Sequence, residues 1–159
     1  MNINQSLFAL LESHKAALQK RFNRELPEMS LLYFRVLRQV GAGYGITPQS
    51  VAQKLHRDKA QVTRLVVEME QQGLLQKLPH PQDRRSVLLQ LTAKGASCLA
   101  QADVLQQQVV SKMTLGISTS QLQQLDEVLN RCVRICTLRI SADKCCRVSV
   151  GTCCLNWKK

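Results

Sequence analysis

Residues 46–95, ITPQSVAQKLHRDKAQVTRLVVEMEQQGLLQKLPHPQDRRSVLLQLTAKG, change hydrophobic period twice, which constrains the fold more than any bulk property of the chain. Thr47-Pro48 is a helix start, because threonine can accept a backbone N–H and proline tolerates the first helical position, where no donor is needed. Val51, Ala52 and Leu55 then share an inward face, and His56-Arg57 makes a turn. Asp58 followed by Gln61 has the form of a capping box and opens a second helix, Lys59 to Gln72, with Val62, Leu65, Val66 and Met69 as its apolar stripe. Gly73 stands where a helix ends in a left-handed residue. Leu74 to Leu78 and Ser86 to Leu91 read as two strands joined by the turn-rich PHPQDRR, and Thr92 caps the next helix. Two short helices, a strand, a basic turn, a returning strand and a helix start are the elements of a winged helix-turn-helix.

The flanks read as helices. Between Gln5 and Arg24, Leu7, Phe8, Leu11, His14, Leu18 and Phe22 recur at three and four. Ser30 caps a helix over Leu31 to Val40 that GAGYG ends. After the wing, Ala93 to about Leu115 is one long helix with Leu99, Ala102, Leu105, Val109 and Met113 as its stripe, broken by Gly116. Ser118 or Thr119 caps a last helix whose apolar side holds Leu122, Leu125, Leu129, Cys132, Val133 and Cys136. The expected class is mainly α with a small β-hairpin wing. The expected division is helical flanks over 1–45 and 96–140, which the family likeness described below makes a dimerisation region, a winged region over 46–95, and a cysteine-rich tail over 141–159 that is expected to be poorly ordered.

Charge narrows the partner only coarsely. Lysine and arginine number 22 against 11 acids, a net +11, which favours a polyanion without saying which. Within residues 47–95 the balance is eight bases to four acids, so the winged region is basic but not extreme. No apolar run approaches the roughly 18 residues of a membrane span, and the polar start lacks the order of a signal peptide, so the expectation is a cytoplasmic chain with reduced cysteines and no membrane partner.

The run VTRLVVEMEQQGLLQKL, then DRRSVLLQLTAKG, resembles the MarR family of bacterial transcriptional regulators: a recognition helix, its terminating glycine, the first wing strand, a D-x-R wing tip and an L-T-x-x-G closing strand. The likeness extends over roughly residues 5 to 140, with weaker support from LPEMSLLYFRVLRQV. It implies a homodimer with interleaved terminal helices, bound to double-stranded DNA at a palindromic operator, usually as a repressor relieved by a small ligand or by thiol oxidation. It implies neither enzymatic activity nor a cofactor.

The polar face of the helix opening at Lys59 carries the base-reading chemistry. Gln61 can read adenine through its amide, and Arg64 can bond guanine or a phosphate, each good bidentate pair discriminating by about 1–3 kcal/mol. Lys59 and Thr63 read as phosphate contacts, although a solvated helix face has the same composition. Gln49 and Ser50 stand in the first turn of the preceding helix, where exposed N–H groups attract a phosphate, and Arg57 lies in the turn. By the resemblance, Arg85 occupies the wing position that enters the minor groove, with Arg84 on a phosphate. Asp83 opposes DNA by its charge, and its role is to hold Arg85 or a neighbouring backbone group.

The family also implies a ligand pocket lined by the first, second and fifth helices, to which His14, Arg21, Tyr33 and Arg38 could contribute. Thiol-sensing members carry a reactive cysteine in the first helix, whereas the first cysteine here is Cys98, which reads as a structural thiol. Cys145-Cys146 and Cys153-Cys154 do not match the spacing of a zinc knuckle, so no metal site is expected. Two other functions remain in view: a winged-helix protein-interaction module, and a redox-responsive regulator using the C-terminal cysteines. An enzyme is disfavoured, because His14, His56 and His80 lie on separate elements and no phosphate-binding glycine loop is present.

Overall fold

The computed structural model describes residues 2–83 and 85–143, the side chains of 137–143 excepted. Arg84 and the cysteines at 145, 146, 153 and 154 lie outside the described residues. In order the elements are α1 (Ile3–Glu25), α2 (Leu31–Gly41), α3 (Pro48–Leu55), α4 (Lys59–Gln71), β1 (Leu75–Pro79), β2 (Val87–Leu91), α5 (Ala93–Met113) and α6 (Thr119–Asp143). This is the mainly helical class expected, with one antiparallel hairpin as its wing. Through Met113 the chain forms one compact unit, and α6 belongs to a second. Among the described residues no helix is long and apolar enough to cross a membrane.

The helix ends follow from local side-chain chemistry. The Ser30 hydroxyl accepts the Tyr33 N–H at 3.0 Å, and the Ser118 hydroxyl accepts the Gln121 N–H at 3.3 Å, which makes Ser118 the cap of α6. The Asp58–Gln61 box is only half formed: Asp58 Oδ1 accepts from the Ala60 and Gln61 N–H groups, with no return bond from the Gln61 side chain among the described residues. The reciprocal box lies one helix earlier, where Thr47 Oγ1 accepts the Ser50 N–H and Ser50 Oγ accepts the Thr47 N–H.

One core joins α1, α2, α5 and the winged segment. Phe22, Val36, Leu37, Val51 and Met69 are wholly buried, and Phe22 meets Phe34 edge to face with ring centroids 5.5 Å apart. β1 and β2 pair with Lys77 opposite Leu89 and Gln76 opposite Gln90, whose amides are joined at 2.7 Å. The segment after Gly45 is pinned to the wing where the Leu89 N–H donates to the Ile46 carbonyl at 2.7 Å.

The junction behind the wing leaves no room for a side chain at Gly95. A Cβ there would lie 2.0 Å from the Leu74 carbonyl oxygen, well inside any real contact. The start of α5 is drawn against the turn after α4 by Thr92, whose hydroxyl donates to the Gly73 carbonyl at 2.6 Å while accepting the Gly95 N–H at 3.0 Å. Lys94 Nζ donates to the Gln72 carbonyl, closing the end of α4. The glycine of the L-T-x-x-G run is therefore a packing requirement.

Candidate nucleic-acid interface

α4 divides by period into two faces. Val62, Val66 and Met69 are buried and Leu65 half-buried, while Lys59, Gln61, Thr63 and Arg64 are exposed, as the sequence pattern predicts. The helix also carries two acids, and both are engaged by other elements. Glu68 Oε2 accepts the Tyr33 hydroxyl at 3.2 Å, and Glu70 Oε2 pairs with Lys77 Nζ at 2.6 Å. Burial first, and Glu68 second, hold the Tyr33 phenol above its ordinary value, so it stays protonated and donating. The two contacts tie α4 to α2 on one side and to β1 on the other, and Glu68 stays exposed on the side it shares with Gln61 and Arg64.

The hydroxyls near this face are less available than their positions suggest. Thr63 Oγ1 donates its one proton to the Lys59 carbonyl at 2.8 Å, so a phosphate would have to compete for it. Ser50 Oγ donates to the Thr47 carbonyl at 2.9 Å, and the Ser50 N–H is already bonded within the same cap. Gln49, exposed beside it, keeps its side chain clear for a phosphate.

The turn between α3 and α4 is built on His56, a left-handed residue at φ 50°, ψ 47°. The reversal lets the Arg57 N–H reach the Ala52 carbonyl at 2.9 Å and leaves Arg57 exposed beside the recognition helix. At the wing tip Asp83 Oδ1 accepts the Arg85 N–H at 2.9 Å, and the Asp83 carbonyl accepts the Ser86 N–H at 3.0 Å. Asp83 thus sets the backbone at Arg85, and the Arg85 side chain remains exposed.

The four residues expected at a ligand pocket separate. His14 and Arg38 line a cavity of about 470 Å³ floored by Leu18 and Phe34 and reaching Arg57 and Gln106. Arg38 is fixed there by its bond to Gln106 Oε1 at 2.9 Å and by its position 5.7 Å over the Phe34 ring. Arg21 instead faces a different groove between α1 and α5, bonded to Gln108, and the Tyr33 hydroxyl is engaged with α4. Helical spacing gives a residue's azimuth on its own helix and not which neighbour it meets, which is why the set scattered. A smaller cavity of about 210 Å³ lies against α4, lined by Arg57, Gln61, Arg64 and Glu68 among others. Arg57 is common to both cavities.

The Lys77–Glu70 pair, the Tyr33–Glu68 contact and the reversal at His56 do not follow from the sequence pattern. The first two join residues on different elements with no local motif. A histidine two residues before an N-cap aspartate is the only hint of the third.

Comparison with known proteins matches the sequence pattern of the MarR family to residues 29–87. The multiple antibiotic resistance protein MarR of Escherichia coli K12 is 26% identical over 105 residues, spanning 65% of this chain and 73% of that protein. Among solved structures, Streptococcus pneumoniae FabT in complex with DNA superposes with a TM-score of 0.74 at 21% identity, covering 84% of this chain and 94% of that one. A mutant MarR from E. coli complexed with operator DNA superposes at 0.71 with 22% identity, covering 82% and 93%.

Proposed function

We propose that this chain, which belongs to the MarR family of DNA-binding transcriptional regulators and is not an enzyme, acts as a homodimer that represses from a palindromic operator. The observation that supports this best is the exposed Lys59, Gln61 and Arg64 face of α4, together with a wing whose tip is set by Asp83. α4 enters the major groove, with Gln61 and Arg64 on base edges and Lys59 and Thr63 on phosphates. Gln49, Arg57 and Arg84 hold the backbone, Ser50 joins them only by giving up a cap bond to Thr47, and Arg85 enters the minor groove.

Dimerisation falls to residues 1–45 and 96–140, and DNA binding to 46–95. Ile3, Phe8 and Leu11 on α1 are 62%, 63% and 62% exposed, and Val128 on α6 is 53% exposed. Apolar side chains of this size gain by being covered, and a second copy would cover them.

Relief of repression uses the cavity at His14 and Arg38. Arg57 borders both that cavity and the recognition helix, so an effector engaging Arg57 would compete with its phosphate contact.

Arg64→Ala and Arg85→Ala should each weaken binding by about 1–3 kcal/mol, or roughly 5- to 150-fold, on operator sequences selected from random DNA, measured by gel shift. Sedimentation should show the dimer intact. Undiminished binding by both variants would sink the reading.

A further inference from the structure

Two arginines and one carboxylate share the small cavity beside α4. Arg57, Gln61, Arg64 and Glu68 line it together with the apolar Leu32, Val62 and Leu65. Arg64 and Glu68 stand one helical turn apart, at i and i+4, the spacing at which opposite charges meet on a helix surface. Both are exposed, yet no ion pair within 4.0 Å joins them among the described residues.

The carboxylate is engaged elsewhere, by α2. The Tyr33 hydroxyl donates to Glu68 Oε2 at 3.2 Å and accepts from Gln72 Nε2 at 3.3 Å. An amide nitrogen can only donate and a carboxylate can only accept, so Gln72 fixes the direction of the phenol and sends its one proton to Glu68. Gln72 is itself held at its carbonyl by Lys94 Nζ, 2.9 Å away. Gln72 lies one turn after Glu68 and Arg64 one turn before it, so the phenol that sits against Gln72 draws the carboxylate away from Arg64. At this spacing an arginine preceding the acid makes the weaker order of pair, and a hydrogen bond to a charged oxygen is enough to divert it.

A guanidinium closed on Glu68 would have to open before it met a base edge or a phosphate, and that opening would be subtracted from the affinity. We propose that Tyr33 is a positioning residue for DNA binding, which by engaging Glu68 keeps the Arg64 guanidinium open. The inference rests on the reading of Arg64 as a DNA contact. Glu68 is then an internal competitor of DNA for Arg64, and Tyr33 decides how far it competes.

The test is fluorescence anisotropy on an operator selected from random DNA. The full chain is compared with Y33F, E68Q, R64A, Y33F/E68Q and Y33F/R64A, each shown by circular dichroism to be folded at the working temperature. Y33F should bind about two- to threefold more weakly, the loss that one surface ion pair at i and i+4 imposes. E68Q keeps an oxygen that accepts the phenol and has no charge with which to hold Arg64, so it should bind at least as tightly as the unaltered chain. The deciding comparison is the rescue: Y33F/E68Q should bind as E68Q does, and Y33F/R64A as R64A does. A Tyr33 that merely packed α2 on α4 would weaken binding alike in every background. The proposal is overturned if Y33F binds as the unaltered chain does, if E68Q binds more weakly, or if the loss caused by Y33F persists with E68Q or with R64A. Undiminished binding by R64A is a separate failure, because it removes Arg64 from the interface and overturns the reading beneath the proposal.

Discussion

Helix α4 and the first half of α1 carry the same kind of apolar spacing and meet opposite fates. Val62, Val66 and Met69 are buried within the chain, whereas Leu7, Phe8 and Leu11 are 40%, 63% and 62% exposed. Only the last two turns of α1, at Leu18 and Phe22, reach the core. An amphipathic period reports that a face will gain by being covered, and it is silent about what covers it. In α4 the cover is α2, α3 and the wing. In the first half of α1 we assign it to a second copy of the chain.

The contrast can be broken most sharply from the covered side. Gly95→Val places a side chain against the Leu74 carbonyl, and the required backbone shift should cost about 3 kcal/mol. That corresponds to a fall of roughly 6–12 °C in the melting temperature, measured by circular dichroism. A fall of less than about 2 °C would mean that the wing and α5 are not packed against each other as described.

The uncovered side predicts a change of assembly with little loss of fold. Phe8→Glu combined with Leu11→Glu should raise the dimer dissociation constant at least about a hundredfold, since each lost apolar contact counts twice in a twofold assembly. Sedimentation velocity at concentrations where the unaltered chain is dimeric would show the monomer. If the double variant stays dimeric, that half of α1 is not the interface.

Two smaller effects sharpen how α4 is held. Tyr33→Phe removes the hydroxyl bond to Glu68 and should cost about 1 kcal/mol in urea denaturation at pH 7. Because the folded phenol is raised above 10.0, this contribution is fully present below pH 10 and disappears as pH climbs through the raised value. The gap between the two proteins should therefore hold steady from about pH 7 to 9 and close at higher pH. His56→Gly, the mildest change, should stabilise the chain by about 0.5–1 kcal/mol by relieving the left-handed conformation at φ 50°. A loss of stability would mean that the imidazole makes contacts that outweigh the strain.

Much of the candidate interface is legible in the sequence. Period 3.6 separates Val62, Val66 and Met69 from Gln61, Thr63 and Arg64, and Asp83 two residues before Arg85 foretells a local bond at the wing tip. The availability of the hydroxyls is not legible. Ser50 and Thr63 bond to backbone within a single helical turn, and such bonds depend on the rotamer, which spacing does not reveal. The ligand-pocket set is the least legible part, since His14, Arg21, Tyr33 and Arg38 each point to a helix face without specifying its neighbour.

What the sequence determined alone were properties carried within one element: where helices begin and end, which face of each is apolar, and that Thr92 and Gly95 mark the close of the wing. Each rests on a side chain acting on backbone a few residues away, or on a period that one helix or strand imposes. Tertiary structure decided which elements engage the carboxylates of α4, why Gly95 tolerates no Cβ, and how the cations of α1 and α5 gather around one groove. Those outcomes depend on distances between elements far apart in the chain, which only packing sets.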